Sequence, residues 1–313
     1  MDLELVPITP APVEGRNKPS ALVVAFLAGR NERTLRAYRN DLEGFRLFLK
    51  ALDVDEATRI LLSRGHGDAN ALVLAYRADM MDRKLQAATI NRRLAAIRSL
   101  VKLSRTLGMV PWSLEVENLK VHAYRDTRGP GRQGFRLLIE VTEARTDGKA
   151  LRDRAALRLL HDLALRRAEV VAMDLEDVNL EAGTVAILGK GRTQKELLSL
   201  PEPTKATLSA WMGARGTKPG PLFVNFDRAG KGERLTGTGL YLVVRNLGKK
   251  AGITVRPHGL RHAGITEALD LTNGNIRAVQ RYSRHRDMRI LSLYDDNRTD
   301  LGGDVARLVA ANA

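Results

Sequence analysis

Two arginines, a lysine, two histidines and a tyrosine stand in order through the second half of this chain. They fall in Ala164-Leu165-Arg166-Arg167-Ala168-Glu169, Gly189-Lys190-Gly191, His258-Gly259-Leu260-Arg261-His262, Ser283-Arg284-His285 and Leu293-Tyr294-Asp295. These side-chain types match the needs of one reaction, transfer of a phosphodiester. The transferring group spreads negative charge over its non-bridging oxygens. A guanidinium answers that charge with a planar, permanently charged fork, which makes Arg166 and Arg261 the candidates. A lysine on a turn can reach a leaving oxygen and lend it a proton, which is the role open to Lys190. A tyrosine becomes a nucleophile only where cations stabilise its phenolate, the situation proposed for Tyr294.

No single stretch carries this reading. With 51 Lys and Arg in the chain, a given arginine is usually a surface group. His258 and Arg261 are spaced i, i+3 just after Pro257, so both can reach one point at a helix start that itself favours an anion. His262 beside them reads equally well as a core or capping histidine. A second Gly-Lys-Gly at 230–232 makes Lys231 a lesser rival of Lys190, because it lacks flanking strand patterns. Tyr282, three residues before His285, is the rival of Tyr294 and is expected on the buried side of its helix. The glycine pattern of a nucleotide-phosphate loop is absent around Lys190. Only the order and spacing of the six positions together exceed chance.

The elements that must hold these groups follow from hydrophobic period. Residues 1–18 hold three prolines and read as a flexible arm. From Ala21 the pattern is helical. Leu35, Tyr38, Leu42, Phe45 and Leu49 form one stripe of a helix over 34–51, with Arg36, Arg39 and Arg46 off it. Helices are predicted at 57–66, 68–84 and 87–107. In the last of these Ile90, Leu94, Ile97 and Val101 face inward, while Arg92, Arg93, Arg98 and Lys102 lie mostly outward. Gly108 and Pro111 end it. Residues 19–110 thus form a helical module with basic faces, and 111–133 a linker most flexible at 128–134. A second domain spans 134–313, with helices at 134–144, 149–163, 167–173, 203–214, 236–250, 259–270, 274–283, 287–294 and 303–312. Within it the period changes to two, and Thr184–Leu188 and Glu196–Leu200 read as a β-hairpin with Lys190 at its tip. The fold class is therefore mainly α with a small β-hairpin or sheet.

Composition narrows the partners. The formal net charge is +15 over 313 residues, a self-repulsion that a polyanion relieves, so nucleic acid leads and an anionic membrane surface follows far behind. There is no cysteine, hence no disulfide, no thiolate nucleophile and no cysteine zinc site, which fits a reducing cytoplasm. The first residues lack the basic and apolar regions of a signal peptide, and no apolar run is long enough to span a membrane. No metal-ligand or cofactor motif is present.

With these residues in view, the chain resembles the tyrosine recombinase (phage integrase) family from about residue 19 to its end. The runs T-L-R-A-Y-R-N-D-L-E-G-F and T-I-N-R-R-L-A-A-I-R-S-L are similar to that family's core-binding domain. The resemblance places the family's first arginine on Arg166, the hairpin lysine on Lys190, the H-x-x-R box on His258 and Arg261, the next histidine on His285 and the nucleophile on Tyr294. Glu169 matches a supporting acidic position. Two departures stand out. The usual glycine before Leu-Arg is Ala164, and the usual Leu-Gly before the second histidine is Ser283-Arg284.

The resemblance implies an N-terminal helical core-binding domain and a mixed α/β catalytic domain that clamp duplex DNA, with Arg36, Arg39, Arg92, Arg93, Arg98 and Lys102 as its DNA contacts. It implies a simple recombinase of Xer-like or mobile-element type that needs no cofactor and no metal. Cutting would pass through a 3′-phosphotyrosyl intermediate and a Holliday junction, for integration, excision or dimer resolution. The implied partners are double-stranded DNA with paired inverted-repeat sites and three further copies of the chain, a homo-tetramer joined by exchange of helix 303–312. An accessory directionality factor is compatible with this, and the expected location is the cytoplasm, on the nucleoid. Two alternatives stay open on sequence. A type IB topoisomerase shares the chemistry, and a non-catalytic helical DNA-binding protein shares the charge and the helices.

Overall fold

The computed structural model describes residues 22–24, 26, 32–120, 129–189, 192–227, 230–288, 291 and 301–311. The chain divides into two compact units, residues 1–122 and 123–313. The expected arm at 1–18 lies outside the described residues.

The first unit is helical: α1 Glu32–Leu49, α2 Val54–Leu62, α3 His66–Asp82 and α4 Ala87–Thr106. The predicted stripes form its core. Phe45, Tyr76, Ile90, Leu94, Ile97 and Val101 are buried together, and Leu42 packs with Leu22, Phe26 and Leu100 beside them. Helix α2 begins three residues before its expected start. Asp53 caps it by accepting a hydrogen bond from the Glu56 amide at 2.7 Å, and the Glu56 carboxylate returns to the Leu52 amide at 2.6 Å. The helix ends at Leu62, four residues short of its expected end, and Gly65 stands at the N-cap of α3.

The expected linker is mostly built into the two units. Leu114 and Val116 are buried in the first unit's core. Asn91 exchanges two hydrogen bonds with the Leu119 backbone, at 2.8 and 2.9 Å, and Asn70 accepts from the Glu115 amide at 2.8 Å. Residues 121–128 lie outside the described residues. Gly129, within the second unit, packs against the start of the later helix that carries Gly259: a Cβ on Gly129 would sit 2.0 Å from the Gly259 carbonyl oxygen. That close approach explains a glycine that reads, in sequence, only as flexibility.

The second unit runs α5 Gly131–Glu143, α6 Gly148–Asp162, α7 Arg167–Ala172, β1 Val178–Asn179, β2 Thr184–Leu188, β3 Lys195–Ser199, α8 Glu202–Arg215, α9 Gly237–Lys250, α10 Pro257–Leu271, α11 Ile276–Ser283 and α12 Leu301–Ala311. The strands form one antiparallel sheet in the order β1-β2-β3, with Ala186 opposite Leu197. The hairpin is as expected but for a one-residue shift of its second strand. The two-residue β1 is too short to leave a period in the sequence. Leu157, Leu160, Leu165, Val170, Val185, Trp211 and Leu260 share the main core, which ties α6, α7, β2, α8 and α10 together. A smaller cluster of Ala164, Ile265, Leu269, Val279 and Leu291 joins α10 and α11 to the end of α6. Most of the expected helix at 287–294 lies outside the described residues. No described helix is long and apolar enough to cross a membrane.

Candidate active site

The site is organised around one turn. After α6 the chain reverses at Leu163-Ala164-Leu165, with Ala164 in the left-handed region at φ 45° and fully buried. The turn aims Arg166 into the N-cap position of α7. Glu169, in the first turn of α7, reaches back and holds that arginine twice. Its carboxylate accepts from the Arg166 amide and from Arg166 Nη1, both at 2.8 Å. The Arg166 side chain keeps 32% of its surface open, whereas Glu169 keeps 3%. A buried carboxylate thus anchors an arginine whose face remains available. Burial pushes the Glu169 carboxyl up, but the hydrogen bonds from Arg166 and the charges of Arg284 and Arg166 outweigh it and hold it below the usual range.

Helix α10 brings the next pair. Pro257 occupies its first turn, so His258 and Arg261 project one turn apart near its start. Arg261 is 1% exposed. Its Nη1 donates to the Ala164 carbonyl, and its Nη2 donates to the Ser283 carbonyl at 2.6 Å. The same Nη2 lies 3.3 Å from His285 Nε2. Since a guanidinium only donates, His285 Nε2 accepts, which puts the imidazole proton on Nδ1, 2.9 Å from Ser283 Oγ. Burial, then the charges of Arg261, Arg166, His258 and Arg284, depress the His285 pKa to about 4. His258 has an exposed side, yet the surrounding protein and the charges of Arg261 and Arg166 lower its pKa as well. Both imidazoles are therefore neutral near pH 7.

Three distant stretches thus deliver Arg166, Glu169, His258, Arg261 and His285 to one place. Lys190 and Tyr294 lie outside the described residues. Their rivals are described. The Tyr282 hydroxyl donates to the His161 carbonyl at 2.8 Å, and burial pushes its pKa up, the reverse of what a nucleophile needs. Lys231 is exposed on a turn closed by the Val224–Arg234 bridge, a strand-like pairing that its flanking sequence does not announce. His262 is a core residue, 3% exposed, with Nδ1 3.4 Å from Thr266 Oγ1.

The basic residues of the first unit divide into two kinds. Arg36, Arg39 and Lys102 are exposed. Arg92 pairs with the buried Asp41 at 2.8 Å, and Arg93 lies beside it at 4.0 Å. Arg98 donates to the Val116 carbonyl and, at 2.6 Å, to Asn118 Oδ1, so it fastens residues 116–118 to α4. Sequence reasoning missed Ser283, whose carbonyl and hydroxyl orient Arg261 and His285, and Gln280, which donates to the His285 carbonyl at 3.2 Å. Their proximity to His285 in a helix that ends there was the available signal.

The phage integrase family model matches residues 135–300, and the model of the N-terminal SAM-like domain of phage integrases matches residues 26–105. A tyrosine recombinase of Synechocystis, slr0733, is 39% identical over 290 residues, covering 90% of this chain and 91% of the relative. One from Synechococcus elongatus is 41% identical, covering 90% of each. Among solved structures, the XerH recombinase in its post-cleavage complex with a palindromic difH substrate superposes with a TM-score of 0.68 at 19% identity, over 92% of this chain and 84% of that one. A lambda integrase tetramer bound to a Holliday junction gives 0.65 at 13% identity, over 90% and 78%. These two show the shared fold. The chain belongs to the phage integrase family, the tyrosine recombinases, enzymes that cleave DNA strands and rejoin them in site-specific recombination.

Proposed function

We propose that this recombinase cuts its site through Tyr294 and holds the scissile phosphate with Arg166, Arg261 and His285. The observation that carries this reading is the convergence of those three groups and His258 on the Ala164 turn from three separate stretches of sequence. Tyr294 attacks phosphorus, a phosphotyrosyl bond forms at the 3′ end, and the bond to the 5′ oxygen breaks. The Lys190 ammonium gives that oxygen its proton. His258, neutral near pH 7, takes the proton of the phenol. A phosphate beside His285 opposes the pull of the arginines and raises its proton affinity, so the imidazole is protonated more often when DNA is bound and can then donate to a phosphate oxygen. A 5′-hydroxyl from the partner duplex then runs the step in reverse, and the energy of the bond stays in the phosphotyrosine. No other source of energy is needed.

The wider reading is a homo-tetramer on paired inverted-repeat sites, working through a Holliday junction in the cytoplasm, on the nucleoid. Helix α12 supports it, because Leu308 and Val309 are each 65% exposed at the end of the chain, where exchange with a neighbour would cover them. Arg36, Arg39 and Lys102, with Arg92, supply phosphate contacts from the first unit.

Covalent capture tests the reading. The protein is incubated with nicked fragments of its source genome, quenched in detergent, and the attached DNA sequenced. Tyr294→Phe is expected to remove all adducts and Tyr282→Phe to leave them, stacked on one inverted repeat. Adducts that survive Tyr294→Phe would overturn the nucleophile. Adducts scattered over unrelated sequences would favour a topoisomerase.

A further inference from the structure

Arg284 occupies a position that sequence logic would give to glycine. It ends α11 in the left-handed region, at φ 56° and ψ 37°, and its side chain is 5% exposed. A bulky residue in that conformation is unfavourable, and so is a buried guanidinium whose Nε has no hydrogen-bond partner among the described residues. What the side chain touches explains its presence. Nη1 donates to the Leu163 carbonyl at 3.1 Å, and Nη2 reaches the Ala164 carbonyl at 3.3 Å and Glu169 Oε2 at 3.1 Å. Ala164 is itself left-handed, and its carbonyl also accepts from Arg261. Glu169 is the anchor of Arg166. One side chain therefore ties the turn, the anchor of the first arginine and the acceptor of the second.

We propose that Arg284 is a positioning residue for strand cleavage: it locks the Leu163-Ala164 turn to Glu169 and so sets where Arg166 and Arg261 present their charge to the phosphate. This rests on the assignment of those two arginines under the proposed function. Arg284 is too buried to touch DNA itself. It also changes the local charge. Glu169 alone would balance Arg166, but with Arg284 and Arg261 the cluster holds three guanidiniums against one carboxylate. An anion entering beside Arg166 meets an excess of positive charge that is already in place, with no side chain left to reorganise.

The experiment uses the full chain and a nicked duplex carrying the site recovered by covalent capture. DNA affinity and the single-turnover rate of adduct formation are measured for the unaltered protein, Arg284→Gly and Arg284→Lys, with a thermal melt as the control for folding. The expectation for Arg284→Gly is affinity unchanged within about threefold and cleavage slower by roughly 10- to 100-fold. Arg284→Lys restores part of the rate, because it keeps the charge and one donor. The limb set by loss of the His285 proton, where the rate falls as pH rises, moves to higher pH in Arg284→Gly, since His285 loses a cationic neighbour. Should Arg284→Gly melt below the assay temperature, Arg284→Lys carries the test: a rate equal to that of the unaltered protein would then sink the need for the bidentate fork. A folded Arg284→Gly that cleaves at the unaltered rate overturns the proposal. So does a fall in affinity and rate together with an unmoved pH profile, which marks a purely structural role. Absence of adducts from the unaltered protein itself overturns the recombinase reading of the site, and this inference with it.

Discussion

His285 shows how strongly one residue can be set by its neighbours. Its ring is flanked by Arg261 and stands in the field of Arg166, His258 and Arg284, and burial removes the water that would soften their effect. The unfolded imidazole titrates near 6.5 and the folded one near 4. Between those values the unfolded chain binds a proton that the folded chain does not. Folding stability therefore falls as the pH drops through that window and levels off below it, and the lowered pKa of His258 acts in the same direction. Urea unfolding midpoints measured at pH 7.5, 6 and 5 should decline in that order. The decline should be shallower in His285→Gln. A midpoint constant from pH 7.5 to 5 would contradict the neutral, cation-flanked histidine. Glu169 adds its own loss further down, as pH falls through its depressed pKa.

At the scale of elements, the placing of the site depends on how closely α10 approaches the end of α6. Gly264 permits that approach: a Cβ there would lie 2.3 Å from the His161 carbonyl oxygen, which is also the acceptor for Tyr282. Gly264→Ala must push the helix away, and backbone cannot yield as a side chain can. The cost is about 2 kcal/mol, a fall in melting temperature of roughly 4–8 °C for a unit of this size, with strand cleavage impaired more than DNA binding because Arg261 sits one turn upstream. Differential scanning calorimetry reads the first and adduct rates the second. An unchanged melting temperature would show that α10 can shift freely. The helices themselves were legible, because Ile90, Leu94, Ile97 and Val101 repeat with a helical period and are buried together. The starts of α2 and α5 were not. One depends on the Asp53 cap, the other on Pro130 and Gly131, and such local geometry leaves no hydrophobic period to read.

At the scale of the whole molecule, the formal charge of +15 dominates. A duplex bound through that charge releases counterions, so the logarithm of affinity should fall linearly with the logarithm of salt. Contact with about six to ten phosphates implies a loss of roughly 10³–10⁵ in affinity between 50 and 200 mM salt. Arg36→Ala or Arg39→Ala should reduce the slope by about one unit. Arg98→Ala should instead loosen residues 116–118, because that guanidinium is bonded to Val116 and Asn118. Binding titrations at several salt concentrations separate the two effects. A flat salt response would remove the electrostatic basis of the proposed DNA contacts.

The sequence by itself determined the helical composition, the hairpin, the basic character and the order of the candidate groups, because each is written in residue type and spacing along one dimension. It singled out Ala164 and Arg284 as departures from glycine without saying what they do. Only the tertiary structure put both in left-handed backbone, turned Arg284 inward to Glu169, and joined Arg261 to the carbonyl of a residue 97 positions away. It also decided which of the conspicuous arginines remain exposed and which fasten the protein to itself. Contacts between distant stretches, and the burial they produce, exist only when the chain is packed in three dimensions.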